Sequence, residues 1–135
     1  MAKTVSMLWL QGQTYRCAFV WARSNPESTE AAPLPPLPRD ITGCTARMQL
    51  RAKYGTDVLL ELTTENGGLV VGGADGRIQI IASAEQTDAL GVTDDPLKPR
   101  RSAKYDLELV WPSGDVTRVI EGDITLSPNI TRDAA

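Results

Sequence analysis

Apolar and polar residues alternate at period 2 along most of this chain. Over residues 44–51, Cys44, Ala46, Met48 and Leu50 fall on one face, and Thr45, Arg47, Gln49 and Arg51 on the other. Tyr105, Leu107, Leu109 and Trp111 likewise alternate with Asp106 and Glu108. Successive side chains of a strand point to opposite faces, so this pattern predicts half-buried antiparallel sheet. Shorter alternating or apolar runs cover residues 7–10, 15–21, 58–62, 69–71, 77–81 and 116–126. Tyr15, Cys17, Phe19 and Trp21 share one face of their run, and Ile120, Ile124 and Leu126 share one face of theirs. Gly122, inside the last run, marks a close backbone approach or a bulge. Some eight strands are expected, arranged as an all-β, antiparallel β-sandwich or small barrel.

Where the alternation stops, turn and helix signals take over. Lys53-Tyr54-Gly55-Thr56-Asp57 reads as a hairpin connection, and Pro112-Ser113-Gly114-Asp115 as a tight turn. Ser83-Ala84-Glu85-Gln86 is a capping box, which predicts one short helix over residues 84–90, from Ala84 to a last residue Leu90, ended by Gly91. Two loops are long. Residues 23–39 hold five of the nine prolines, Pro26, Pro33, Pro35, Pro36 and Pro38. Proline fixes φ and lacks a ladder N–H, so this stretch should be extended, polyproline-like and outside the sheet. Residues 91–103 form the second loop, and residues 129–135 a loosely ordered tail. All of this fits within one domain spanning residues 1–135.

Composition narrows the function. Net charge is −3, which gives no whole-chain field for nucleic acid. The basic group Lys98, Arg100, Arg101 and Lys104 reads first as a solvated loop. Histidine is absent, and Cys17 and Cys44 form no CxxC, so neither a Zn site nor any other metal or cofactor is expected. The two cysteines read as free and buried, although sequence leaves a pairing open. Glycines 72, 73 and 76 precede a strand with no GK[ST], which argues against a phosphate loop. Asp94-Asp95 lacks the EF-hand spacing. Asp106, Glu108 and Glu121 are expected on outward strand faces, solvated and with ordinary acidity, and the serines lack a base. No enzyme is therefore expected. No apolar run reaches membrane-spanning length, and no signal-peptide layout is present.

What remains is surface. Partner contacts are expected at Pro33, Leu34, Pro35, Pro36 and Leu37, and at Arg100 and Arg101. The proline spacing would also satisfy a PxxP ligand, but a stiff loop needs nothing more than the same composition. Trp9, Trp21 and Trp111 all fall on inward faces, which argues against a carbohydrate-binding module.

Certain segments resemble a known family. Gln11-Gly12-Gln13-Thr14 before an aromatic strand, then Asp40-Ile41-Thr42-Gly43-Cys44-Thr45-Ala46-Arg47-Met48-Gln49-Leu50-Arg51, is similar to the opening of tailed-phage structural proteins. Leu60-Glu61-Leu62-Thr63-Thr64-Glu65-Asn66-Gly67-Gly68, Tyr105-Asp106-Leu107-Glu108-Leu109 and Glu121-Gly122-Asp123-Ile124-Thr125-Leu126-Ser127-Pro128 continue it. The chain thus resembles small prophage virion proteins. More distantly it resembles the immunoglobulin-like N-terminal domain of upper-baseplate proteins, a β-sandwich that attaches receptor-binding fibres or spikes to the tail. The proline-rich insertion departs from the short, Gly-containing loop usual there.

The resemblance implies an immunoglobulin-like β-sandwich in a virion, assembled in the host bacterial cytoplasm. It would be a multi-copy tail or head–tail adaptor, touching tail tube, nozzle or adaptor proteins and a fibre or spike, with no nucleic acid or membrane partner. A capsid cement protein on the major capsid protein is the alternative, and a carbohydrate-binding host-recognition module the third.

Overall fold

A computed structural model describes residues 3–52, 58–90 and 101–127. The strands in chain order are β1 (Lys3–Thr4), β2 (Met7–Leu10), β3 (Tyr15–Val20), β4 (Ala22–Arg23), β5 (Leu37–Pro38), β6 (Thr45–Arg51), β7 (Val58–Thr63), β8 (Leu69–Val71) and β9 (Arg77–Ala82). Helix α1 (Ala84–Ala89) follows, then β10 (Arg101–Val110) and β11 (Val116–Ser127).

Two sheets form the body. The larger runs β1-β11-β10-β6-β7, with β2 also on β11, and the smaller runs β3-β9-β8. Both N-terminal strands pair with β11 in parallel, and all other pairs are antiparallel. This order defines an immunoglobulin-like sandwich: β3, β9 and β8 stand as strands B, E and D, and β6, β10 and β11 as C, F and G. Among the described residues, one strand of that plan is missing. In the constant-type arrangement a first strand lies beside B, whereas here the N-terminal segment joins the opposite sheet and leaves β3 at an edge.

The predicted alternation becomes the core. Met48, Leu50, Leu62, Leu107, Leu109, Ile120, Ile124 and Leu126 from the large sheet meet Leu69, Ile78, Ile80 and Ala82 from the small one, all buried. Two bulges bend the large sheet. Leu107 faces Ile120 but Glu108 faces Arg118, so Val119 is the extra residue, and Val119 and Ile120 are both buried despite being consecutive. Leu59 is the extra residue where Leu50 faces Leu60 and Arg51 faces Val58. Gly122 is therefore the close approach and not the bulge. A Cβ there would lie 2.4 Å from the Val5 carbonyl oxygen.

Helix α1 matches its sequence signal. Ser83 caps it by accepting from Gln86 N at 3.1 Å, and Gln86 Oε1 accepts from Ser83 N at 2.8 Å, with Leu90 as C-cap. Its buried Thr87 donates to Gln13 O at 2.9 Å and accepts from Gly12 N at 3.1 Å, which braces the β2–β3 turn.

Several expectations need correcting. The second loop does not extend to residue 103, because β10 begins at Arg101, where pairing with Leu126 outcompetes loop freedom. The described strands number eleven rather than eight, as three pieces only two residues long also find ladder partners. The proline-rich loop is not free from residue 23 to 39, because Ala22 pairs with Pro38 and Arg23 with Leu37. Its first half is turned rather than polyproline-like. Asn25 Oδ1 accepts from Glu27 N at 2.9 Å, and Ser28 Oγ from Leu34 N at 2.9 Å. Such short polar side chains offer the backbone local partners that compete with an extended path. The 53–57 hairpin, residues 91–100 with Gly91, and the tail 129–135 lie outside the described residues.

Candidate docking surface

The missing strand leaves a cleft of about 610 Å³ between β3 and the N-terminal segment. Val5, Met7, Val119 and Ile120 form one wall, and Tyr15, Cys17, Phe19 and Trp21 the other. The walls follow from local rules already given. The bulge turns Val119 inward, and β3 alternates at period 2, so its inward residues line the gap.

Burial along the rows of the small sheet shows how open this gap is. Cys17 faces Ile80, which faces Leu69, and Phe19 faces Ile78. Ile80, Ile78 and Leu69 are sealed, yet Tyr15, Cys17 and Phe19 are only half-buried. The same core rows thus reach solvent at β3. Among the described residues β3 pairs only with β9, so its other edge offers a row of backbone donors and acceptors.

The N-terminal wall is fixed in place. Val5 N donates to Glu121 O at 2.9 Å, and Tyr105 Oη donates to Val5 O at 2.6 Å. Trp9 is fully buried and stacks on Tyr15 with ring centroids 5.0 Å apart. Its Nε1 has no partner of hydrogen-bond geometry among the described residues, although the indole still favours the ionised Tyr15 hydroxyl. Burial outweighs that effect and, with the Cys17 thiol beside it, raises the Tyr15 hydroxyl to about 12. Burial also raises Tyr105, followed by Tyr15 and Cys17 nearby. Both cysteines are free, and burial pushes the Cys44 thiol up.

The far end of the cleft carries its charge. Among the described residues, Lys3 and Arg39 are the only charged ones in the lining, and neither has an ion-pair partner there. The Arg39 guanidinium lies 4.9 Å from the Trp21 ring centroid. Trp21 N donates to Gly76 O and Arg39 N to Trp21 O, both at 2.8 Å, which anchors the base of the proline-rich arm at this end. Gly76 has φ +66°, and a Cβ there would meet Trp21 O at 2.6 Å.

A second candidate, on the outer face of the large sheet, is smaller. Arg47, Gln49, Glu61, Asp106 and Glu108 line a depression of about 310 Å³. Arg47 Nε lies 3.2 Å from Glu108, Gln49 donates to Glu61 at 2.6 Å, and Arg118 stands 3.6 Å from Asp106 and 2.9 Å from Glu121. Lys104 pairs with Asp123. Every carboxylate here has a cross-strand or near neighbour, as the polar face of a ladder requires. Asp106 departs from the expected ordinary acidity. Desolvation beneath its neighbours raises its carboxyl, Glu108 adds to the rise, and Arg118 opposes it.

The sequence-predicted contact residues fall at two ends. Pro33, Leu34, Pro35 and Pro36 are exposed on the arm, while Leu37 is half-buried in the β4–β5 ladder. Arg100 lies outside the described residues, and Arg101 starts β10 opposite Leu126, which pairs with Trp9 near the opposite end of β3. The arm and Arg101 therefore do not form one patch. Sequence reasoning missed the cleft, because its signal is a strand absent beside β3 among the described residues and not any motif. Trp21 and Trp111 are only half-buried, tilted at 49° with centroids 6.0 Å apart, so of the three tryptophans only Trp9 is sealed.

Among the described residues, no group of three or more metal-ligating side chains occurs, and no helix is long and apolar enough to cross a membrane. No protein-family model and no curated protein matches the chain. Among solved structures, that of murine CRIg matches with 12% identity over 94% of this chain and 92% of that one, at a TM-score of 0.33. That superposition is too loose to carry weight, and the assignment of the sandwich rests on its own strand order.

Proposed function

We propose that this chain is a non-enzymatic virion protein of a tailed phage, an adaptor of the tail or head–tail region that anchors fibres or spikes. The observation that carries its docking character is the open edge of β3, where core rows sealed at Ile78 and Ile80 reach solvent through Phe19 and Cys17. Strand addition at such an edge joins two proteins through backbone hydrogen bonds, with apolar side chains setting the register. The proline-rich arm leaves the body at the same end of β3, so a partner seated there can touch both surfaces. A multi-copy assembly gains contact area this way without enlarging the core of each subunit. The placement in a virion rests on the resemblance of the turn and strand segments given above.

Copy number tests the reading. Quantitative mass spectrometry of purified particles should give roughly six or twelve copies each, following the symmetry of a tail. Hundreds of copies would mean a capsid cement protein instead. Absence from the particles would remove the virion role.

A further inference from the structure

We propose that the cleft beside β3 is a strand-acceptor site for an extended segment of a partner protein. That segment carries alternating apolar side chains and a carboxylate at the end that meets Lys3 and Arg39. The proposal deepens the docking reading above and rests on it.

Three observations specify the occupant. First, among the described residues β3 lacks a neighbour where the immunoglobulin-like plan places one, so the open edge calls for backbone in extended form. With a rise of about 3.3 Å per residue, a strand as long as β3 fills it. Second, the half-buried row Tyr15, Cys17 and Phe19 faces Val5, Met7 and Val119 across the gap. Every second side chain of an added strand would point into this apolar space, and the alternate ones would point to solvent beside Arg16, Ala18 and Val20. Third, among the described residues the lining holds two cations and no carboxylate. The chain reverses at Gln11-Gly12-Gln13, where Gln13 N donates to Leu10 O, so Lys3 and the Trp21–Arg39 pair lie together at the end away from that turn. The occupant's negative charge belongs at that end.

The same charges argue for a different protein over a second copy of this one. A second β3 would bring Arg16 and no carboxylate, which adds positive charge to a positive site. Among other features, Cys17 is a lone half-buried thiol, and the outer-face carboxylates already have partners.

The test uses the full chain and two labelled peptides of about eight residues, alternating valine and threonine, one with aspartate at both ends and one with lysine. Fluorescence anisotropy should show the aspartate peptide binding at least about tenfold more tightly, and Lys3→Glu with Arg39→Glu should invert the preference. Both substituted residues are exposed, so the fold should persist, which circular dichroism checks. Hydrogen exchange should slow over residues 15–20 when the aspartate peptide binds. Equal affinities, no binding of either peptide, or binding without protection of residues 15–20 would overturn the proposal. So would a dimer in sedimentation with residues 15–20 already protected, because a second copy would then fill the cleft. Failure of the peptides with adaptor-level copy numbers in particles removes only the acceptor site. Peptide binding by a chain absent from particles removes the virion reading and leaves the site standing.

Discussion

Tyr105 Oη donates to the carbonyl of Val5 at 2.6 Å, tying the middle strand of the large sheet to the N-terminal segment a hundred residues away in sequence. Val5 sits between β1 and β2, where the N-terminal segment forms one wall of the cleft. Tyr105→Phe removes the donor and leaves a partly buried carbonyl unpaired. The expected loss is about 1–2 kcal/mol in urea unfolding. Hydrogen exchange at residues 3–7 should rise first. An unchanged midpoint would mean that water replaces the hydroxyl without cost.

Gly122 lies close to the same carbonyl. Because its Cβ would come within 2.4 Å of Val5 O, Gly122→Ala must push the N-terminal segment outward or bend β11. A loss of roughly 1–3 kcal/mol is expected, as for overpacking in a well-filled interior. Tyr105→Phe and Gly122→Ala act on one contact, so their combined cost should fall short of the sum in a double-mutant cycle.

Sealed and open halves of the core rows should respond differently to truncation. Ile78 is fully buried and faces half-buried Phe19 in the same row. Ile78→Ala should cost about 2–5 kcal/mol. Phe19→Ala should cost less despite the larger side chain, about 1–2 kcal/mol, because part of its ring is already in water. Equal or greater loss at Phe19 would mean that something covers the β3 edge.

Alkaline stability should reveal the two tyrosines. Burial raises Tyr15 from 10.0 to about 12, and Tyr105 is raised as well. The unfolded chain ionises first, so these groups stabilise the fold fully below about pH 10, and that contribution is lost as pH rises through their folded values. Urea midpoints should therefore fall above about pH 10. Tyr15→Phe with Tyr105→Phe should flatten the decline.

The arm should be separable from the body. Since Ala22 pairs with Pro38 and Arg23 with Leu37, a deletion must spare residues 22–23 and 37–38. Replacing residues 24–36 with a two-residue Asn-Gly turn should change stability by less than about 1 kcal/mol, as the segment buries little. Particles assembled with this variant should lose fibres. Retained fibres would make the arm a mere connection.

Much of the body was legible in the sequence because its strands have one wet face and one dry face. Period 2 placed Cys44, Ala46, Met48, Leu50, Leu107 and Leu109 in the core, and all are buried. The capping box at Ser83 and Gln86 placed α1 almost to the residue. What escaped was decided between strands. Nothing local to Val119 announces a bulge, since the extra residue exists only relative to Leu107 and Glu108 across the ladder. Nothing local to Tyr15, Cys17 and Phe19 tells a covered edge from an open one either, because their alternation is the same in both. The docking surface depends on which strand is absent, and only the pairing order shows that.

The most direct measurement of the central claim is an electron cryomicroscopy reconstruction of purified particles that places this chain. The account predicts density for the sandwich at the tail or head–tail junction, in contact with a fibre or spike, with its β3 edge and proline-rich arm turned toward a partner. Density spread over the capsid surface, or β3 facing solvent in every copy, would contradict it.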